Sequence, residues 1–371
     1  MIRHDGVVHN PLGAASYYFE KDLMEYLNAQ CTHRRIILHV GTQPNCSPHI
    51  GNITTFGLAF ALASALKLEF SREVMVKFIY VDSAPAVGKD ITINDIRYQR
   101  SLGYTGDFRV NQATFTQVID RFSSLSNVPY EVETQNFWRS SAVFTAILQD
   151  IINRRDILSP RISPGSGTHK LAIRAACPHA ACGLSDKHGI NNQYCEGRIT
   201  FLCPNHGEFS VDLASPRDVE RLEFNTPLRN LIRVLVCSQD PNVSWIMCTG
   251  SDYAGFYQEQ LLWRLLDHTL NAPIIFYAPL ILDWSGSKLS KSMYVEHGAY
   301  KYLRDAGLEY MLEADAFFNT RGGPEALFAE VQAWVAAPYK LFRGYSIEYL
   351  HKQLIARGMQ VHRCITGSDR H

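Results

Sequence analysis

The chain has no excess of charge of either sign: Lys+Arg and Asp+Glu stand at 36 each in 371 residues. A general polyanion-binding surface is therefore not implied, although a local basic groove is compatible with the balance. No apolar core of the kind a signal peptide needs follows Met1-Ile2-Arg3-His4-Asp5-Gly6. The apolar stretch Gly57 to Leu66 is too short to span a bilayer, so no membrane partner is expected. Internal repeats and low-complexity tracts are also missing. The nine cysteines are an odd number, spread from Cys31 to Cys364 with one dense cluster. That pattern suits reduced thiols around a metal better than a disulfide framework, and points to the cytoplasm. What is present, 46% hydrophobic and 19% charged residues, gives room for a full core, two domains and an insert.

Apolar runs lay out the fold. Residues 1–34 read as an amphipathic N-terminal arm with a helix from Ala15 to Asn28. A strand at 35–40, a helix at 53–66 and a strand at 74–81 form a β-α-β unit, the strands reading as the continuous apolar runs of a buried parallel sheet. The segment from Asp82 to Asp107 reads as a loop over a site. Helices are predicted at 111–125 and 140–156, with a strand at 130–133 between them. Pro160 and Ser163-Pro164-Gly165-Ser166-Gly167 mark a boundary. A strand at 243–248, a helix at 256–267 and a strand at 274–277 make a second β-α-β unit. The expected class is α/β, a doubly wound parallel-sheet nucleotide-binding domain split by an insert. Its parts are the arm at 1–34, a first half at 35–160, the insert at 161–225, a second half at 226–295 and a short helical region at 296–371.

Two motifs about 240 residues apart carry the chemistry. Pro48-His49-Ile50-Gly51-Asn52 lies between a buried strand and a helix start. Free N–H groups and the helix dipole favour anions there, which suits a triphosphate. His49 is read as a hydrogen-bond donor to a phosphate, or as a helix cap; Gly51 as room for adenine to approach the backbone, or as a packing glycine. Lys288-Leu289-Ser290-Lys291-Ser292 follows another strand, at the sheet edge where α/β ligands bind. Its two ammonium groups are suited to the β- and γ-phosphates as charge moves during displacement. Together the motifs suggest cleavage of ATP between its α- and β-phosphates. Gly250-Ser251-Asp252-Tyr253 adds a turn that places the Asp252 carboxylate on ribose hydroxyls, or forms a simple Asx turn. Candidate catalytic residues are His49, Lys288 and Lys291. Candidate ATP-binding residues are these three with Gly41, Pro48, Gly51, Asn52, Gly250, Asp252 and Ser290. Thr42, Tyr253 and Tyr257 are candidates for an amino-acid pocket. So is Asp82, which would neutralise a cationic substrate or only cap a turn.

The cysteine cluster at roughly 174–212 contains Cys177-x4-Cys182 and Cys203-Pro204-Asn205-His206-Gly207. Two short knuckles separated by a strand-rich stretch have the layout of a zinc ribbon. The expected ligands are Cys177, Cys182, Cys203 and His206, with Cys195 and His179 as substitutes. Four ligands leave no open position, so the Zn²⁺ would be structural. Cys46 has no paired base in reach of the sequence, which argues against nucleophilic catalysis.

These residues resemble the class I aminoacyl-tRNA synthetases, Pro48–Asn52 being similar to their HIGH motif and Lys288–Ser292 to their KMSKS motif. Asn52 in place of the second histidine, and the stretch from Tyr130 to Asp156 followed by the insert, are similar to the class I (archaeal-type) lysyl branch. The likeness covers about residues 35–295. It implies amino-acid activation with ATP and Mg²⁺, then transfer to the acceptor end of tRNA, or to a small-molecule amine in a truncated paralogue. A non-catalytic nucleotide- or tRNA-binding regulator is the further alternative. Only 79 residues follow Ser292, so the full anticodon-binding region of the lysyl branch is expected to be missing.

Overall fold

A computed structural model describes residues 12–15, 23–86, 88, 90–162, 170–257, 272–290 and 298–361. Lys291 and Ser292, most of the helix expected at 256–267, and the part of the arm helix before Leu23 lie outside them.

Six parallel strands form the central sheet: β1 (Leu12–Gly13), β2 (Arg35–Thr42), β3 (Glu73–Tyr80), β4 (Tyr130–Thr134), β5 (Val243–Gly250) and β6 (Ile274–Ala278). Their order across the sheet is β1-β6-β5-β2-β3-β4. The chain builds outward from β2 through β3 to β4, then returns after residues 135–242 to set β5 on the other side of β2. Sheet growth reverses between β2 and β5, and the crevice beyond their carboxyl ends is where such sheets hold ligands. Both faces are covered. Leu38, Val40, Ile246 and Cys248 enter one apolar core, while Met247 joins a second core and Ile37 and Trp245 a third cluster. Alternation along a pleated strand sends neighbouring residues to opposite faces, so strands covered on both sides are apolar throughout.

The helix expected at 53–66 runs further, from Ile50 to Phe70 (α1), 21 residues. That makes it long and apolar enough to cross a membrane, but 67% of its apolar window is buried inside the protein. It is the core helix of the sheet's first face. At Gly57 an added Cβ would stand 3.3 Å from the Phe122 ring and 3.6 Å from Val331. Phe122 belongs to α2 (Gln112–Ser126) and Val331 to α4 (Gly323–Ala336), so two helices close on that turn. The region after 296 is thus built into the main core: Trp334 of α4 stacks on Tyr345 at 4.5 Å, and Tyr345–Ser346 pairs in parallel with Ile281–Leu282. On the sheet's other face lies α3 (Leu228–Ser238), with Leu231 and Ile232 packed near Met247 and Ile275.

The segment from Asp82 to Asp107 is not a loop over the site. Ile91–Ile93 and Ile96–Gln99 form a hairpin, joined through Asn94 and Asp95, both at positive φ (50° and 62°). Asn and Asp tolerate that region, and a two-residue turn of this kind matches strand twist. The hairpin then pairs with Ser185–Asp186, and Arg100 Nε donates to the Cys182 carbonyl at 2.6 Å. Its alternating residues serve the cysteine module, none of them the crevice.

Candidate functional site

The crevice between β2 and β5 opens into a cavity of about 500 Å³. Gly41 and Thr42 line it from the end of β2, Gly250 from the end of β5, His49, Gly51 and Asn52 from the start of α1, and Lys288 and Ser290 from the loop after Ile281–Leu282. Asp252, Tyr253 and Tyr257 complete the wall from the turn after β5. Pro48 is buried beside the cap but is not in the lining, and Asp82 is not in it either. Asp82 instead faces Arg139 at 3.6 Å, and burial raises its carboxyl above the ordinary range despite that charge.

His49 caps α1. Its Nδ1 accepts the Gly51 N–H at 3.0 Å, while Asn52 Oδ1 accepts the His49 N–H at 3.3 Å, a reciprocal box that satisfies two helix-start donors. The cap reading and the donor reading of His49 are thus compatible. A neutral ring whose Nδ1 accepts must carry its proton on Nε2, which fixes His49 as a donor through that atom. For Gly51 the packing reading has a physical basis: an added Cβ would stand 2.8 Å from His49 Cε1, so the glycine makes room for the histidine ring while lining the cavity.

The lysine loop is shaped by Asp283. Its Oδ1 accepts the backbone N–H of Ser285 at 2.8 Å and of Ser287 at 3.1 Å, and its Oδ2 accepts the Tyr300 hydroxyl at 3.4 Å. The Ser290 N–H in turn donates to Tyr300 at 3.3 Å. Lys288 emerges from this turn to pair with Asp252. The carboxylate expected at a ribose and the lysine expected at a phosphate are therefore neighbours.

Sequence reasoning missed the opposite wall. Arg229 and Arg233, one turn apart on α3, and Asn230 between them all line the cavity. Arg233 is 7% exposed, donates from Nη2 to the Tyr257 hydroxyl at 2.8 Å, and stands 3.1 Å from where a Cβ on Gly41 would lie. Burial, with the charge of Arg233 adding to it, brings Arg229 down to about 10, so it remains protonated at neutral pH. Two arginines interrupting Leu228-x-x-Leu231-Ile232-x-Val234 were the available signal, since a helix rarely spends buried positions on charge without a partner.

Away from the cavity, Cys177, Cys182, Cys203 and His206 present ligand atoms all within 4.8 Å of one another. Cys182 Sγ and Cys203 Sγ are 3.7 Å apart, and His206 Nδ1 lies 3.4 Å from Cys177 Sγ and 3.6 Å from Cys203 Sγ. Tetrahedral Zn²⁺ with Zn–S near 2.3 Å and Zn–N near 2.0 Å needs edges of about 3.5–3.8 Å. The four residues fit. Cys195 is exposed and outside the group, and His179 stacks on His206 with centroids 4.1 Å apart. The module's three antiparallel strands are Gln193–Cys195, Arg198–Cys203 and Gly207–Asp212.

No protein-family model and no curated protein matches this chain. Among solved structures it is similar to the Thermus thermophilus arginyl-tRNA synthetase at 10% identity and a TM-score of 0.34, covering 91% of this chain and 65% of that one. The glutamate-tRNA synthetase of Elizabethkingia anophelis shows 14% identity and a TM-score of 0.33, over 71% of this chain and 54% of that one. Overlap this partial does not bear on chemistry, which rests on the residues themselves.

Proposed function

We propose that this cavity activates an amino acid with ATP, as class I aminoacyl-tRNA synthetases do. One observation carries the reading: His49 at the start of α1 and Lys288 paired with Asp252, distant in sequence, face a single cavity at the sheet's reversal point. The helix start offers N–H groups and the positive end of a dipole to the triphosphate. His49 Nε2–H donates to a phosphate oxygen. An α-carboxylate oxygen attacks the α-phosphorus; as that P–O bond forms, the bond to the α–β bridging oxygen breaks and its electrons leave with pyrophosphate. Lys288 and Lys291 stabilise the charge gathering on the leaving group, and Mg²⁺ arrives with the nucleotide phosphates. Catalysis is thus positioning and charge stabilisation, with no covalent enzyme intermediate.

The acceptor in this reading is the end of tRNA, and the setting is the cytoplasm. The motif resemblance nominates lysine as the amino acid; the charge of the cavity nominates another. In the insert, a zinc ribbon in this reading, Cys177, Cys182, Cys203 and His206 would hold a structural Zn²⁺, close to one per chain by elemental analysis. Amino-acid-dependent exchange of pyrophosphate into ATP tests the activity. Absence of exchange with every proteinogenic amino acid, with and without added RNA, would overturn it. Labelled amino acid incubated with total tRNA then separates acceptors: RNase-sensitive label means tRNA, and label in a small product means an amine.

A further inference from the structure

Two cations face this cavity with no carboxylate beside them among the described residues. Among the described residues, neither Arg229 nor Arg233 has a carboxylate partner, and both keep a buried Nε–H without an acceptor. Asp252 is the one carboxylate in the described lining, and it is taken by Lys288. The hydrogen bonds the arginines do make are to neutral oxygens, Thr226 for Arg229 and Tyr257 for Arg233. Removing an arginine from water without an anion costs several kcal/mol, so the arrangement is one that a ligand's negative charge completes. Guanidinium groups suit a carboxylate because their planar fork matches its two oxygens.

We infer that Arg229 and Arg233, with Tyr257 holding Arg233 in place, bind the side-chain carboxylate of the activated amino acid, making the substrate an acidic amino acid. This rests on the activation reading and narrows it. The α-carboxylate is a poorer occupant for the pair. It loses its charge when it becomes the mixed anhydride, which would leave both arginines bare in the adenylate, whereas a side-chain carboxylate keeps its charge through activation and transfer. A lysine substrate meets the reverse difficulty: its ammonium would lie against two guanidiniums, with the one described carboxylate already paired. Arg233 also abuts the end of β2 at Gly41, so the subsite adjoins the strand that leads into the phosphate-binding helix start.

The test is pyrophosphate exchange by the purified full chain with glutamate, aspartate and α-aminoadipate, against glutamine, asparagine and lysine. An acidic amino acid should exceed its amide by at least about a hundredfold in kcat/KM, as expected where buried polar groups are left unpaired by the wrong substrate. Arg233→Lys and Arg233→Gln should raise KM for the acidic amino acid at least tenfold while KM for ATP holds, a split that misfolding does not produce. Exchange with lysine or a neutral amino acid and none with the acids overturns the inference and leaves activation standing. Absence of all exchange overturns activation, and calorimetric titration of the same acids then decides the subsite. Binding that is lost in Arg233→Gln sustains it, and absence of binding overturns it.

Discussion

The two walls of the cavity are built from opposite kinds of sequence. The α1 wall is local: His49, Gly51 and Asn52 lie within four residues, and their geometry follows from starting a helix directly after a strand. The α3 wall is not local in meaning. Arg229 and Arg233 lie on a largely apolar helix and acquire a role only because α3 packs on the face of β5 that leaves them at the crevice. A short motif can announce a backbone shape, whereas a charged pocket depends on which distant elements meet.

Breaking the lysine side of this comparison should have the largest effect. Lys288→Ala should slow pyrophosphate exchange by about a hundredfold or more, in line with loss of a preorganised charge at a developing anion. KM for the amino acid should stay within a few-fold, because the α3 wall is untouched; a rise in that KM as large as the fall in kcat would mean that the two walls are not separate.

His49→Asn separates cap from donor. Asparagine is among the best helix caps, so thermal stability should hold. Loss of the Nε2–H should lower exchange by about tenfold, at the low end for a positioned donor. Unchanged exchange would reduce His49 to a cap. A smaller change probes the other wall. Gly41→Ala puts a Cβ 3.1 Å from Arg233 Nη1, tighter than an ordinary contact. It should raise KM for the amino acid severalfold and leave KM for ATP alone.

The smallest expected effect is on stability against pH. Burial, with repulsion from Arg233 and Lys77, holds the His39 imidazole well below the usual histidine range. A histidine kept neutral in the fold but free to protonate when unfolded contributes its full stability above the unfolded value, ~6.5, and loses it as pH falls below that. Denaturant melts of wild type and His39→Gln from pH 7.5 to 5 should show the variant losing less stability on acidification. Parallel curves would remove His39 as the cause.

Much of the fold was legible. The strands at 35, 74, 243 and 274 read as buried because each carries apolar residues on both faces, whereas the strand at 130 sets Glu131 and Glu133 on one face and stands at the sheet edge; the structure places all five in one parallel sheet. Legibility failed where a pattern had two fits. Ile91 to Tyr98 alternates like a strand pair, yet its Pro, Gly and Asp surroundings read as loop. What settled it was pairing with Ser185–Asp186, nearly ninety residues away. The ends of α1 lie three to four residues beyond the expected helix: His49 and Asn52 supply the cap at one end, and the helix stops only where Ser71 turns left-handed after Phe70 at the other.

By itself, the sequence determined the local chemistry: a capped helix start after a strand, a Gly/Ser/Lys turn after another, and two cysteine knuckles. Each depends on neighbours within a few residues, where backbone geometry is dictated by residue type. Only the tertiary structure decided that the helix start and the Lys288 turn share a cavity, that four of the cysteine and histidine candidates come within ligand distance of one another, and that two arginines stand at the crevice with no counter-charge among the described residues. Those outcomes depend on sheet order and helix packing, since an electrostatic environment is a sum over everything nearby and residues far apart in the chain contribute most of it.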